Sequence, residues 1–432
     1  MISYDLPDLV IIAADAFMGA GIPACRQVEV TSDTAVNDLG PWIPAMVDAL
    51  TRPLTAQEAS SGTYQAPVPP RIAMAGTYDE ITDYFTGYLV ATPTGGPWAW
   101  MTAGLPIVPP TEEAVARMLT GTSHSPDEVL SWTGWGRVPR EATIEKVAVN
   151  AVMAGCRPEY MPAVLAIAAT NGCVGYPGDS SFGSMYVVSG PYAKEIGMNA
   201  GFCFLESGNP ANMALEHACQ LMGVNCGGCL QGLTNLQRTG NIHWGTTFAE
   251  NPDTPWDTLN VDLGYDVDES VLLAWGGKVN LIPFQNIEVK NATSLEECQP
   301  GTPDHWIAAL KTGTQQRGGI LLFAPDTAQR YKDTWGFDSI QEIQDYVWEN
   351  VTWKAGDWYN NYWFVTHRQR AGYEAKTDPR MLGKAHLDLP PDTQIPQFNS
   401  PEDVTVIVAG GSGDAWTWGF GTPRASSIDD WR

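Results

Sequence analysis

Two neighbouring stretches, SMYVVSGPYAKEIGMN at residues 184–199 and SGNPANMALEHACQLMGVN at residues 207–225, decide the fold class. In the first, an apolar β-branched run breaks at Gly190-Pro191 and passes into a short helical pattern that Gly197 stops. In the second, Asn209 reads as an N-cap, Pro210 as the first helical residue and Gly223 as the end of the helix. The same grammar returns with GGILLFAP (318–325) as a strand, SIQEIQDYVWENV (339–351) as a helix and EDVTVIVAGGSG (402–413) as a late strand running into glycines. Strands alternating with helices predict an α/β protein with mixed sheets, buried helices and more than one domain.

Working outward, 432 residues is several times a typical domain length, and 44% hydrophobic residues describe a chain with a large core. The expected division is an N-terminal region over 1–100, a central α/β domain over 101–288 and a C-terminal, Trp-rich α/β region over 289–432. Within the first region DLVIIAA (8–14) is a strand candidate and YQAPVPPRIAM (64–74) a Pro-rich connection. GLPIVPPTEEAVARML (104–119) opens a helix with Thr111 as N-cap, acidic residues at its positive end, and Val115, Met118 and Leu119 on one face. The Trp-rich piece WENVTWKAGDWYNNYWFVTHRQR (348–370) is expected to make a domain or subunit contact, with a ligand cage as the alternative.

Charge narrows the partners. With 49 acidic against 24 basic residues the surface repels phosphate backbones and anionic headgroups, so no nucleic acid is expected. No apolar run approaches 18 residues, the first segment lacks the basic start of a leader, and no membrane association is expected. The predicted setting is cytoplasmic, in a homo-oligomer or hetero-oligomer. Eight scattered cysteines do not read as a secreted disulfide framework.

The chemistry-bearing stretch is KVAVNAVMAGCRPEYMPAVLAIAAT (146–170), where one thiol and one guanidinium interrupt two apolar helices. Gly155 is suited to end the first helix in a left-handed conformation and Pro158 to begin the next, leaving Cys156 and Arg157 as the connection. A helix N-terminus and a neighbouring cation are the two ingredients of an activated thiolate. Pro162 either kinks that helix or delays its start, and a delayed start weakens the dipole argument. The plain structural alternative is a small residue filling a turn, with Arg157 paired to Glu159.

Other candidates are dispersed. NCGGCLQG (225–232) holds Cys226 and Cys229 as a CxxC, which suits a redox disulfide, a soft metal ion, or simply two buried thiols around a turn. Cys203, His217, Cys219 and His243 are the residues that could complete a metal set. In HWGTTFAENPDTPW (243–256), Glu250 is a candidate general base or a turn-capping carboxylate, His243 is the nearest imidazole, and Asn251 stands beside them. Asn209 and Asn212 are candidates for orienting a substrate at a helix start. VAGGSG lacks the residues of a phosphate loop, so no nucleotide cofactor is expected.

Several blocks resemble a family. GLPIVPPTEEAVARMLTGTSHSPDEVL, ATIEKVAVNAVMAGCRPEYMPAVLAIA, VVSGPYAKEIGMNAG, GNPANMALEHACQLMGVN, FAENPDTPWDTLNVDLGY and VIVAGGSGDAWTWGFGTPR resemble, in order, proteins related to the UGSC (seleno)protein family. The resemblance runs from about residue 100 onward, most densely over 104–272, and the Cys-Arg-Pro-Glu-Tyr block is its most specific part. It implies redox or nucleophilic thiol chemistry. The chain has no UGSC or CGSC motif in its first 100 residues, and the cysteines around the paired glycines at 227–228 depart from the family pattern.

Two functions follow as expectations. One is a cysteine-dependent enzyme on a small, anionic, electrophilic substrate, by reductase, lyase or hydratase chemistry. Cys156 is then the activated thiol, Arg157 and Glu159 assist, Glu250 or His243 moves protons, and Asn209, Asn212 and Asn251 bind. The other is a non-catalytic or soft-metal-binding subunit of a hetero-oligomer.

Overall fold

The computed structural model describes residues 2–4, 24–30, 40–59, 70–87, 89–92, 95–99, 101–133, 139–170, 183–231, 235, 244–277, 281–283, 303–311, 318–359, 389–398, 400–412, 415–418 and 423–432. The expected strand at 8–14, most of the Pro-rich connection, His243 and residues 360–370 lie outside them.

From residue 111 onward the principal described elements are helix α1 (Glu112–Leu119), strands β1 (Val129–Thr133) and β2 (Pro139–Thr143), helices α2 (Ile144–Met153) and α3 (Met161–Ala169), and strand β3 (Gly183–Ser189). Then come α4 (Pro210–Asn225), β4 (Trp244–Ala249), the short α5 (Leu259–Asp262), β5 (Val271–Gly277), β6 (Leu281–Pro283), α6 (Pro303–Lys311) and β7 (Gly319–Phe323). The series closes with α7 (Pro325–Trp335), α8 (Ile340–Asn350), β8 (Val404–Val408), β9 (Ala415–Trp418) and β10 (Arg424–Ser427). This is an α/β fold. One sheet runs in the order β10-β5-β3-β4 and another in the order β6-β9-β7-β8.

The chain divides into two compact units, residues 1–184, 213–246 and 426–432 in one, and residues 185–212 and 247–425 in the other. The boundaries between these units fall at 184, 212, 246 and 425.

The first unit is built on helices that local sequence specifies well. Thr111 Oγ1 accepts from Ala114 N–H at 3.2 Å and starts α1, whose Val115 and Met118 are buried. The β1-β2 hairpin is antiparallel, pairing Val129 with Thr143. Thr143 then caps α2 through Lys146 N–H. Helix α2 ends as Gly155 predicts. Gly155 is left-handed (φ 78), its N–H donates to Val152 O, and Cys156 N–H reaches back to Ala151 O at 2.9 Å.

Pro162 delays the next helix. A 3-10 turn at Pro158–Tyr160 precedes α3, in which residues 161–168 are all buried. Gly121, just beyond α1, allows that turn to approach, because a Cβ there would meet Pro158 O at 1.8 Å.

The second unit contains three layers. β7 and β8 are parallel, registered Gly319 to Val404 through Phe323 to Val408, and β9 lies antiparallel on the other side of β7. Alternation sorts their side chains. Ile320, Leu322 and Ile407 pack with Met185, Val187, Val271, Leu273 and Trp275 between the two sheets. Leu321, Phe323, Val404 and Val406 face Trp306, Tyr331, Ile343 and Val347 of the covering helices. The described part of the Trp-rich piece is bound internally. Trp348 Nε1 donates to Phe398 O and Trp353 Nε1 to Gln397 Oε1.

Replacing Gly121 with Ala should destabilise the protein by roughly 3 kcal/mol, since Pro158 O is backbone and cannot step aside cheaply. Urea denaturation measures it, and a change within the scatter of surface substitutions would contradict the packing described.

Candidate functional site

Cys156 sits at the turn that the sequence specifies, but not in the predicted electrostatic setting. Its backbone N–H is occupied by the cap of α2, and its thiol donates to Ala214 O of α4 at 3.5 Å. Arg157 points away, with two-thirds of its side chain exposed, and meets Glu159 at 3.8 Å. Burial pushes the Cys156 thiol up to about 12, opposite in direction to an activated thiolate. Forming the thiolate at pH 7 would take roughly 7 kcal/mol. The helix dipole offers little help, because the 3-10 turn at Pro158–Tyr160 intervenes before α3 begins.

The asparagines are occupied by their own loop. Asn209 Nδ2 donates to Cys203 O and Glu206 O, while its Oδ1 accepts from Asn199 Nδ2. Asn212 Oδ1 accepts from Asn199 N–H, and its Nδ2 reaches Asn199 O and Phe204 O. Asn209 is thus a brace for residues 199–206. Helix α4 also runs two residues beyond the Gly223 stop, because Gly223 is buried inside it and the left-handed turn comes at Gly228 (φ 71).

Glu250 and Asn251 hold the end of β4 within the second unit. Asn251 N–H donates to Val408 O and Asn251 Nδ2 to Gly410 O at 3.0 Å, tying this segment to the glycine loop after β8. Glu250 accepts from Leu259 N–H at 2.9 and 3.1 Å and from Ser189 Oγ at 2.6 Å, so it caps α5 from a distance. Desolvation outweighs these donors and raises the carboxyl to about 7. A protonated Glu250 fits the same network, because Ser189 Oγ has a second acceptor in Asn260 Oδ1 at 3.0 Å. The arrangement is a capping knot, and its hydrogen-bonding capacity is turned inward.

Cys226 and Cys229 are free thiols at the exit of α4. Burial raises Cys226 to about 12, with Asn150 Nδ2 at 3.4 Å and Lys146 acting in the opposite direction. Among the described residues no group of three or more His, Cys, Asp and Glu side chains could hold a metal ion.

The residues that stand out lie on α4 itself. This helix is buried except at its ends and along Met213, Glu216, His217 and Gln220, a half-buried stripe at i, i+3, i+4 and i+7. His217 donates a ring N–H to the backbone carbonyl of Thr102, and its Nε2 is buried with no partner among the described residues. The proton therefore sits on Nδ1, and Nε2 presents a lone pair. Burial lowers the affinity of this ring for a proton, so it is neutral at pH 7.

Beside it, burial raises the Glu216 carboxyl to about 7, and no hydrogen bond or ion pair reaches it among the described residues. The turn that presents Thr102 is left-handed at Ala103 (φ 53) and Gly104 (φ 79), and Asn225 Nδ2 fixes it through Met101 O. The Cys156 thiol meets the same helix at Ala214 O, three residues before His217 in sequence. The sequence signal was an adjacent Glu-His pair in a helix that has no Asp, Lys or Arg.

A cavity of about 680 Å³ lies elsewhere in this unit, lined by residues that include Arg26, Trp42, Asp48, Arg52 and Glu58. Arg26 is saturated there by Glu58 and by the carbonyls of residues 49, 52 and 53. Comparison with family models, curated proteins and solved structures finds no match.

Two outcomes test this description. Iodoacetamide should label Cys156 roughly tenfold more slowly than the exposed Cys203 at pH 7.5, and Arg157→Ala should leave that rate unchanged. Equal labelling would contradict the buried, protonated thiol.

For Glu250 the folded pKa lies above its ordinary value of 4.5, so its contribution to stability is greatest at low pH and is lost as pH rises towards 7. Glu250→Gln should remove about 3 kcal/mol of that decline, read by urea denaturation at pH 4.5 and pH 8. An unchanged pH profile would refute the assignment.

Proposed function

We propose that the chain is an acid–base enzyme of the lyase or hydratase kind, acting on a small molecule at the half-buried face of α4. His217 is the base and Glu216 the acid. The observation that carries this reading is the buried, unpartnered Nε2 of a ring whose other nitrogen is tied to Thr102. A buried polar atom left without a partner calls for an explanation, and a lone pair waiting for a substrate proton supplies one. A carboxylic acid near neutrality beside it supplies the reverse transfer.

Cys156 enters as a neutral thiol docked one turn away, which supports a lining role over a nucleophilic one. Kinship with the UGSC-related proteins belongs to the same proposal and rests on the block from Cys156 to Tyr160. The exposed, paired Arg157 gives no support to an anionic substrate at this face, so an uncharged one fits it better.

The pH dependence follows from the two groups. Turnover requires neutral His217, hence a pH above its lowered value, and protonated Glu216, hence a pH below about 7. The profile should be bell-shaped, with its alkaline limb near 7.

Proton abstraction is detectable without knowing the product. In D₂O, the protein should exchange the acidic C–H of some member of a panel of small carbonyl compounds, followed by proton NMR. His217→Ala should slow that exchange by about two orders of magnitude or more. Exchange that survives His217→Ala, or none across the panel, would reject the proposal.

A further inference from the structure

His124 makes two hydrogen bonds that a neutral imidazole cannot make together. Nδ1 lies 2.8 Å from Glu128 Oε2, and Nε2 lies 2.8 Å from Asp430 O. A carboxylate oxygen and a carbonyl oxygen both accept, so both ring nitrogens must donate, and only the imidazolium carries two N–H groups. The ring also faces Trp431, with centroids 4.9 Å apart.

The segment thus gripped is the 3-10 turn Asp429–Trp431, which belongs to the first unit and packs against the buried helix α3. Its other anchors are neutral or internal. Thr122 Oγ1 donates to Trp431 O at 2.7 Å, Ser123 Oγ donates to Arg432 O at 2.6 Å, and Arg432 pairs with Asp429.

We propose that His124 is the pin of a pH-dependent strap: its imidazolium holds residues 428–432 over α3, and its deprotonation releases them. The charged groups around the ring favour the closed state. Glu128 and Asp430 face it, Asp127 is engaged by Ser125, and Asp429 is engaged by Arg432. Residues 161–168 of α3 are apolar, so that face supplies no competing charge.

The direction of the switch follows. The Asp430 carbonyl first, and Glu128 next, raise the ring above its ordinary 6.5. A raised histidine contributes fully below that ordinary value, and its contribution disappears as pH climbs through the raised one. The strap is therefore closed at mildly acidic pH and opens on the alkaline side, baring apolar surface of α3.

Amide exchange of the peptide covering 424–432, corrected for the intrinsic effect of pH and read by mass spectrometry, tests the strap in the whole protein. Protection should fall roughly tenfold between pH 6 and pH 9 with the midpoint of the His124 ring titration followed by NMR. Glu128→Gln should move that midpoint to lower pH, and His124→Gln should leave the segment open at every pH. Protection that does not vary with pH in the unaltered protein, or that varies equally after His124→Gln, would overturn the proposal.

Discussion

Desolvation along α4 is the constraint that sets the protonation of the groups this helix carries and meets. The helix is enclosed on most of its circumference, and Glu216, His217 and Cys156 are among the ionisable groups that stand on or against it. Each is driven to its neutral form: Glu216 and Cys156 upward, His217 downward. At neutral pH these groups carry little charge, with Glu216 about half protonated, despite the excess of 25 negative charges on the chain.

The same balance explains why a thiol beside an arginine is not an activated thiol. Adjacent residues in an extended turn point their side chains apart, so Arg157 reaches solvent and Glu159 while Cys156 turns inward to Ala214. A cation separated from the thiol by solvent is screened, whereas burial acts on the sulfur directly. In the second unit Glu250 shows the complementary case. Its burial raises the carboxyl as well, but donors from Ser189 and Leu259 engage it, and the group becomes a fastening for α5.

What could be read beforehand follows from local rules. The N-caps at Thr111 and Thr143, the left-handed exit at Gly155 and the delay imposed by Pro162 all act within a few residues, and of these Thr111, Gly155 and Pro162 were legible as single positions. The α/β class was legible from strands such as Gly319–Phe323 alternating with helices such as Ile340–Asn350. Long-range placement was not. No spacing in the sequence indicates that residues 213–246 and 426–432 rejoin the first unit, or that Thr102 lies against His217. The partners of Asn209 were not legible for the same reason: they are the carbonyls of residues 203 and 206 and the side chain of Asn199.

The central claim is that burial leaves His217 a neutral Nδ1–H ring with a free Nε2 lone pair. The nitrogen-15 shifts of that imidazole, followed against pH and assigned by their loss in His217→Ala, test it directly. A ring protonated on Nδ1 at pH 7 that gains its second proton only below 6.5 is the result this account requires. A ring protonated on Nε2, or one still charged at pH 7, would contradict it.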